Sequence, residues 1–69
     1  MFIKVTGING ETFVVNTNRI SLIEPYSIRG YIDASIIVFD ENTIVKVSES
    51  PDMILKIIKR SEKWQTKKN

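Results

Sequence analysis

Cysteine and histidine are both absent from this chain of 69 residues. Without cysteine the chain has no disulfide framework, no thiolate nucleophile and no cysteine-based zinc site. Without histidine it lacks the usual catalytic acid or base at neutral pH, and with it the triads that depend on imidazole. We therefore expect a non-enzymatic protein that holds neither a metal ion nor a cofactor.

Long apolar runs are also absent, since no stretch approaches the ~20 residues needed to cross a bilayer. The chain begins directly on a strand-like pattern at residues 1–5 and shows neither the basic segment nor the apolar core of a signal peptide. We expect no membrane span and a cytoplasmic location, with which the lack of disulfides agrees.

The residues that are abundant favour β-structure. Twelve Ile, six Val and five Thr make up one third of the chain, and β-branched side chains favour pleated sheet. A domain of this size buries only about 60% of its unfolded surface, so that self-association is common.

The strongest local signal is Asn9-Gly10 between two β-rich segments, which is typical of a hairpin with a type I′ turn. This turn sets Val5 opposite Val14. A second hairpin is predicted around residues 40–42. The predicted strands cover about residues 2–8, 11–16, 20–24, 34–39 and 43–48, with Pro25 ending the third.

A helix is predicted over about residues 51–65. Ser50 is a suitable N-cap, Pro51 suits the first helical position, and Asp52 complements the helix dipole. Apolar residues then recur at helical spacing, namely Met53, Ile54, Ile57, Ile58 and Trp64. Residues 1–66 thus form a single α+β domain, a small antiparallel sheet of about five strands followed by one C-terminal helix, with residues 67–69 as a frayed tail.

The apolar pattern exceeds what one helix can cover. A single helix covers one face of a sheet, yet residues 36–39 are apolar at consecutive positions, so both faces of that strand favour burial. Either the sheet curls into a partial barrel or a second copy covers the face that the helix leaves bare. We predict a homo-oligomer.

Two stretches carry a further pattern: Ile3-Lys4-Val5-Thr6, Ile8-Asn9-Gly10-Glu11, Phe13, Asn16, Ile20 and Ile23-Glu24 near the start, and Val47-Ser48-Glu49-Ser50, Ile54 and Ile57-Ile58 near the end. Together they resemble the FlbD/SwrD family of small proteins encoded among bacterial flagellar genes. Residues 25–33 are longer and more aromatic than the corresponding segment of that family, and the second hairpin lacks its Asn-Gly turn. The resemblance implies a non-catalytic accessory of flagellar function, without a cofactor.

The candidate binding residues are Tyr26, Arg29, Tyr31 and Trp64. Residues 26–31 form a predicted connection that is long for so small a sheet, and Tyr and Arg are enriched at binding hot spots. The same residues suit a nucleotide, because rings stack on bases and a guanidinium binds phosphate. A purely structural role remains open, in which the rings cover the open end of the sheet.

The helix also carries a basic face, formed by Lys56, Lys59, Arg60 and Lys63. Such a face can contact phosphates, or it can be a solvated surface that complements the C-terminal end of the helix dipole. Residues 1–50 hold four basic and six acidic side chains, a net charge of −2, which argues against nucleic acid as the partner.

Two functions therefore stand side by side. The first is an adaptor that acts as a homo-oligomer through contacts with a protein partner, as the flagellar resemblance suggests. The alternative is a phage-type protein that sequesters a small anionic ligand, such as a nucleotide signal, in a site lined by Tyr and Arg. The adjacent carboxylates Asp40 and Glu41 are interpreted as a solvated turn without catalytic work, because general acid–base chemistry needs a sheltered site.

Overall fold

A computed structural model describes the backbone of residues 1–67 and the side chains of residues 1–30 and 32–61. Over these residues the chain forms β1 (Phe2–Thr6), β2 (Thr12–Asn16), a turn of 3-10 helix (Thr17–Arg19), β3 (Leu22–Ile28), β4 (Tyr31–Asp40), β5 (Thr43–Val47) and α1 (Pro51–Lys67). Five antiparallel strands followed by a C-terminal helix confirm the predicted α+β fold.

The strands form two sheets, one of β1 and β2 and one with the order β3-β4-β5. The end of β1 meets the end of β5 through a bridge between Gly7 and Val47, and the Ser48 N–H donates to the Thr6 carbonyl over 2.8 Å. The sheets are thus joined along a short seam and do not close into a barrel.

One core lies between the inner faces of the two sheets and the helix. Its buried members come from both sheets and the helix: Ile3, Val5, Val15, Ile37, Val47 and Ile54. Burial of each of these aliphatic side chains stabilises the fold by roughly 1.5–3 kcal/mol before chain entropy is counted. Because β1, β2, β4, β5 and α1 all contribute, neither sheet has a separate core.

The first hairpin has a register one residue away from the predicted one. Val5 pairs with Phe13, and Lys4 pairs with Val14. Phe13 therefore packs against the core, whereas Val14 is exposed on the opposite face. A shift by one residue moves a whole strand to the other face, so the predicted pairing of Val5 with Val14 was wrong.

The turn explains the shift. Gly7 accepts from the Gly10 N–H over 2.9 Å and donates its own N–H to the Glu11 carbonyl over 2.7 Å. Gly10 has a φ of 93°, and no non-glycine residue of the described chain has a positive φ. A type I′ turn needs positive φ at both central residues, so Asn9 excludes it, and the chain uses a three-residue loop instead.

Pro25 lies inside β3 rather than ending it. It pairs with Ser35 of β4, and β3 continues to Ile28. Proline is tolerated here because β3 is an edge strand, where a missing N–H can face solvent instead of a neighbouring strand. The predicted end of the third strand at residue 24 and the predicted start of the fourth at residue 34 were therefore wrong.

The helix begins as predicted. The Ser50 hydroxyl accepts the Met53 N–H over 3.1 Å, which caps a helix whose first residue is Pro51. The helix is described as far as Lys67, two residues past the predicted end. Lys67 is thus helical rather than part of a frayed tail, and residues 68 and 69 lie outside the described chain. Within that chain no helix is long and apolar enough to cross a membrane.

The apolar stripe of the helix faces the core as predicted, with one exception. Ile54 is fully buried, and Ile57 and Ile58 pack against the same cluster. Met53 instead lies about half exposed at the margin of the stripe. The side chain of Trp64 lies outside the described residues.

Candidate functional site

The predicted long connection between the third and fourth strands is a tight hairpin turn. Ile28 pairs with Tyr31, which leaves only Arg29 and Gly30 as turn residues. Gly30 has a φ of 88° and Arg29 a negative one, the sign pattern of a type II turn. The sequence predicts a loop here because proline usually ends a strand, but Pro25 lies on an edge strand and does not end it.

A β-bulge lies just behind this turn. Tyr26 pairs with Ala34 and Ile28 with Tyr31, so that Ser27 alone opposes Ile32 and Asp33. The Ser27 hydroxyl donates to the Ile32 carbonyl over 2.7 Å. Bulges re-aim the side chains of a strand and are frequent beside functional sites. Residues 27–32 are called the hairpin tip below.

The hairpin tip exposes apolar side chains next to a cation. Ile28 is 45% exposed and Ile32 78% exposed, and Arg29 lies exposed between them in sequence. The backbone pairing and the Ser27 hydrogen bond hold this segment in place. Aliphatic side chains presented beside a guanidinium on an ordered turn suit contact with another protein.

Tyr26 belongs to the sheet rather than to the tip. The side chain is half-buried, and the Lys46 Nζ lies 5.2 Å from the centroid of its ring. Ring and ammonium approach each other across β4, where the small side chain of Ala34 is 1% exposed. This cation–π contact is worth roughly 0.5–1 kcal/mol, and it occupies one face of the ring.

The other predicted binding residues are not all described. The backbone of Tyr31 pairs with Ile28, but its side chain lies outside the described residues, as do those of Lys63 and Trp64. The rest of the predicted basic face, Lys56, Lys59 and Arg60, is exposed on the helix. Arg29 lies on the hairpin, so the structure places these predicted cations on two different elements.

The sequence predicts that a second copy covers the sheet face that the helix leaves bare, but it does not identify the residues of that face. In the structure this is the face of the β3-β4-β5 sheet that is turned away from the core. The register aligns one aliphatic row across it, formed by Leu22, Val38 and Ile44. The next row is formed by Glu24, Ile36 and Lys46. We call these two rows the outer face. Successive side chains of residues 44–47 point to opposite faces of the sheet, but which residues of β3 and β4 share a face with them follows only from the register of all three strands.

Leu22 and Ile44 are 46% and 50% exposed, and Val38 and Ile36 between the flanking strands are partly exposed. Within the described chain the helix contacts β3 and β4 from the core side, where Ile37 is buried. These aliphatic side chains lie in adjacent rows of one sheet face, and large exposed apolar patches are typical of interaction surfaces.

The turn at Asp40 is structural. The carboxylate accepts the Asn42 N–H over 2.8 Å, and this bond, with a hydrogen bond from the Thr43 side chain, holds the pKa of Asp40 below its usual value. No group of three or more acidic side chains among the described residues is placed to hold a metal ion. The geometry at residues 40–42 agrees with the interpretation of Asp40 and Glu41 as a solvated turn.

Glu49, which the sequence marks only as part of the Val47-Ser48-Glu49-Ser50 resemblance, has a structural role. The Thr6 N–H donates to both of its carboxylate oxygens over 2.9 Å, and the fully buried Ser35 donates to its carbonyl over 2.7 Å. Glu49 thus ties β1, β4 and the approach to the helix together. This explains structurally why an acidic residue precedes the Ser50 cap.

Comparison of the chain with known protein families, curated proteins and solved structures finds no match.

Proposed function

We propose that the protein is a non-enzymatic adaptor that acts as a homo-oligomer and binds a protein partner through the hairpin tip. The observation that carries this proposal is the exposure of Ile28 and Ile32 on either side of Arg29, on a turn held by backbone pairing. Buried aliphatic contact supplies affinity, and an arginine at the same spot adds directional hydrogen bonds.

The state of Tyr26 favours a protein partner over a nucleotide. Stacking on a base needs a ring with a free face, and the Lys46 ammonium covers one face of this ring. Arg29 lies in the turn three residues further along, on a hairpin without a long connecting loop. Sequestration of a small anionic ligand is therefore the alternative. It would require a base to stack on the ring face that Lys46 does not cover, or Lys46 to leave the ring or to bind the anion itself.

The basic helix face gives weaker support to a third role, the binding of nucleic acid. Lys56, Lys59 and Arg60 are exposed, as phosphate contacts require, but an exposed row of cations is also what a solvated helix face looks like. We therefore consider nucleic acid a less well supported partner than either a protein or a small anionic ligand.

The resemblance to the FlbD/SwrD family supports a flagellar accessory role in the cytoplasm. If this role is correct, deletion of the gene in its own host should reduce swimming. Wild-type protein should restore swimming, and Arg29→Ala should not. Full swimming of the deletion strain would contradict the flagellar role and leave the adaptor role to be tested separately.

The adaptor role is tested with tagged protein purified from its host. Arg29→Ala and Ile28→Ser alter the hairpin tip. Arg60→Ala and Leu55→Ser are the matched controls on the helix, since they change an exposed arginine and an aliphatic residue of comparable exposure. We expect a host protein to be retained by the wild type and both controls. Each tip variant should bind it about tenfold or more weakly, as at a hot spot.

Native mass spectrometry of the same samples distinguishes the partners. A host protein lost with either tip variant supports the adaptor role. An anionic small molecule that the wild type retains and Arg29→Ala loses supports the alternative instead. Equal retention of every bound species by wild type and tip variants would remove the hairpin tip from the binding site.

A further inference from the structure

We propose that the outer face is the contact between two copies of this chain, which meet face to face about a two-fold axis parallel to β4. This inference rests on the homo-oligomer of the proposed function and names its surface and symmetry. It is carried by the arrangement of residues on the two rows of the outer face.

The charges on the outer face are self-complementary. Glu24 and Lys46 flank Ile36 on opposite sides, about 10 Å apart because two strand spacings separate them. A two-fold axis that lies between the two facing sheets and runs along β4 places β3 of one copy opposite β5 of the other. It therefore brings Glu24 of one copy opposite Lys46 of the other, twice per dimer.

The alternative axis in the same plane runs across the strands and does not bring Glu24 opposite Lys46. If it passes through the row of Ile36, it places Glu24 opposite Glu24 and Lys46 opposite Lys46, and like charges at an interface are strongly unfavourable. If it passes between the two rows, it places Glu24 opposite Leu22 and Lys46 opposite Ile44, which leaves both charges without a partner. The distribution of charge thus selects one of the two symmetric arrangements. It is also an isologous arrangement, which closes at two copies.

The apolar rows fit the same axis. Leu22 of one copy meets Ile44 of the other, and Val38 meets its own equivalent on the axis. Sheets packed in this aligned way lie about 10 Å apart, a gap that a glutamate and a lysine side chain span together. Lys46 can keep its place over the Tyr26 ring, because an ammonium has three donors.

Pairing through the edge of β3 is the obvious competitor, and Pro25 opposes it. A proline within an edge strand removes a donor from the row that an added strand would need. Three strands of about seven residues present a face of roughly 14 by 23 Å. Two such faces have a combined projected area of roughly 640 Å². This is the range of weak and transient contacts, so we expect dissociation constants that are micromolar or higher.

The test is sedimentation of the full chain from micromolar concentrations to on the order of 100 µM. We expect a dimer of the 7.9 kDa chain for the wild type. Leu22→Lys/Ile44→Lys should dissociate it, with a dissociation constant raised about tenfold or more. Leu55→Lys is the matched control, because Leu55 is 48% exposed on the helix, and it should leave the dimer intact.

The symmetry is tested by charge exchange. Glu24→Lys and Lys46→Glu should each sediment as monomers, because each places like charges opposite one another twice. An equimolar mixture of the two variants should form a heterodimer, since every facing pair is then of opposite sign. A mixture that stays monomeric would overturn the proposed axis, and circular dichroism of each variant verifies that it is folded.

The outcomes separate this inference from the proposed function. A wild type that remains at 7.9 kDa throughout overturns both the interface and the homo-oligomer. A dimer that survives the lysine and charge variants overturns the interface alone, as does dissociation by Leu55→Lys to the same extent. Binding of a partner at the hairpin tip is measured independently with Arg29→Ala.

Discussion

Ile54 is the helix residue whose replacement by alanine tests the packing of the whole fold most directly. Its side chain is 0% exposed and belongs to the core cluster that both sheets share. Because no solvent reaches it, truncation removes apolar contacts without exposing a new polar group. We expect Ile54→Ala to lower the free energy of unfolding sharply.

The magnitude follows from the atoms removed. Three carbon atoms are lost, at about 0.8 kcal/mol for each buried methylene, which gives about 2.4 kcal/mol. The cavity left between helix and sheets adds to this, so that the expected loss is about 3–4 kcal/mol. A chain of 69 residues has a total stability of roughly 3–10 kcal/mol. The variant should therefore be unfolded at room temperature only if the stability of the wild type lies at the lower end of this range, and otherwise it should unfold at a much lower urea concentration.

The assay is urea unfolding followed by far-ultraviolet circular dichroism, with all proteins at one concentration because self-association would add to the apparent stability. Leu55→Ala is the control. Leu55 directly follows Ile54 on the same helix and is about half exposed, so we expect its replacement to lower the free energy of unfolding by about 1 kcal/mol or less. A loss below about 1.5 kcal/mol for Ile54→Ala, or equal losses for both variants, would refute the deduced facing of the helix.

Three further predictions concern local structure. Ser50→Ala should cost about 1 kcal/mol in urea unfolding, because the Met53 N–H loses its capping partner; an unchanged midpoint would contradict the cap. Gly30→Ala should cost about 1–2 kcal/mol from its φ of 88° alone, since an added Cβ meets nothing within 4 Å; Gly30→Asn should cost less. Asp40→Ala should be less stable than wild type above pH 4, because a carboxyl whose folded pKa lies below the usual 3.8 stabilises the folded state while it is ionised. That difference should shrink as the pH falls through the folded pKa, and a difference independent of pH in acid unfolding would contradict it.

The candidate sites show where sequence reasoning reached its limit. The exposure of Arg29, Lys56 and Lys59 could be predicted from their charge, because charged side chains are mostly solvent-exposed. The contact of Lys46 with Tyr26 joins residues twenty positions apart on strands that are not adjacent. Only the register of β4 with both neighbours brings those two side chains together.

The one-residue shift in the first hairpin has a similar cause. Both Phe13 and Val14 are apolar, so hydrophobicity along β2 did not state which of them faces the core. The preference of Asn9-Gly10 for a type I′ turn favoured one register. In the observed register, Phe13 packs against the shared core. A three-residue loop connects the two strands in this register.

The sequence by itself determined the features that depend on neighbours in the chain: the α+β class, the number of strands, the start of the helix at Pro51 and the burial of Ile54. These are set by side-chain periodicity and by capping bonds that span only a few residues. The tertiary structure decided which residues share a face. It let β3 run through Pro25, because that strand lies at an edge, and it aligned Leu22, Val38 and Ile44 in one exposed row. Such choices depend on which distant strands pair and in which register, and a two-residue side-chain period leaves both open until the core is formed.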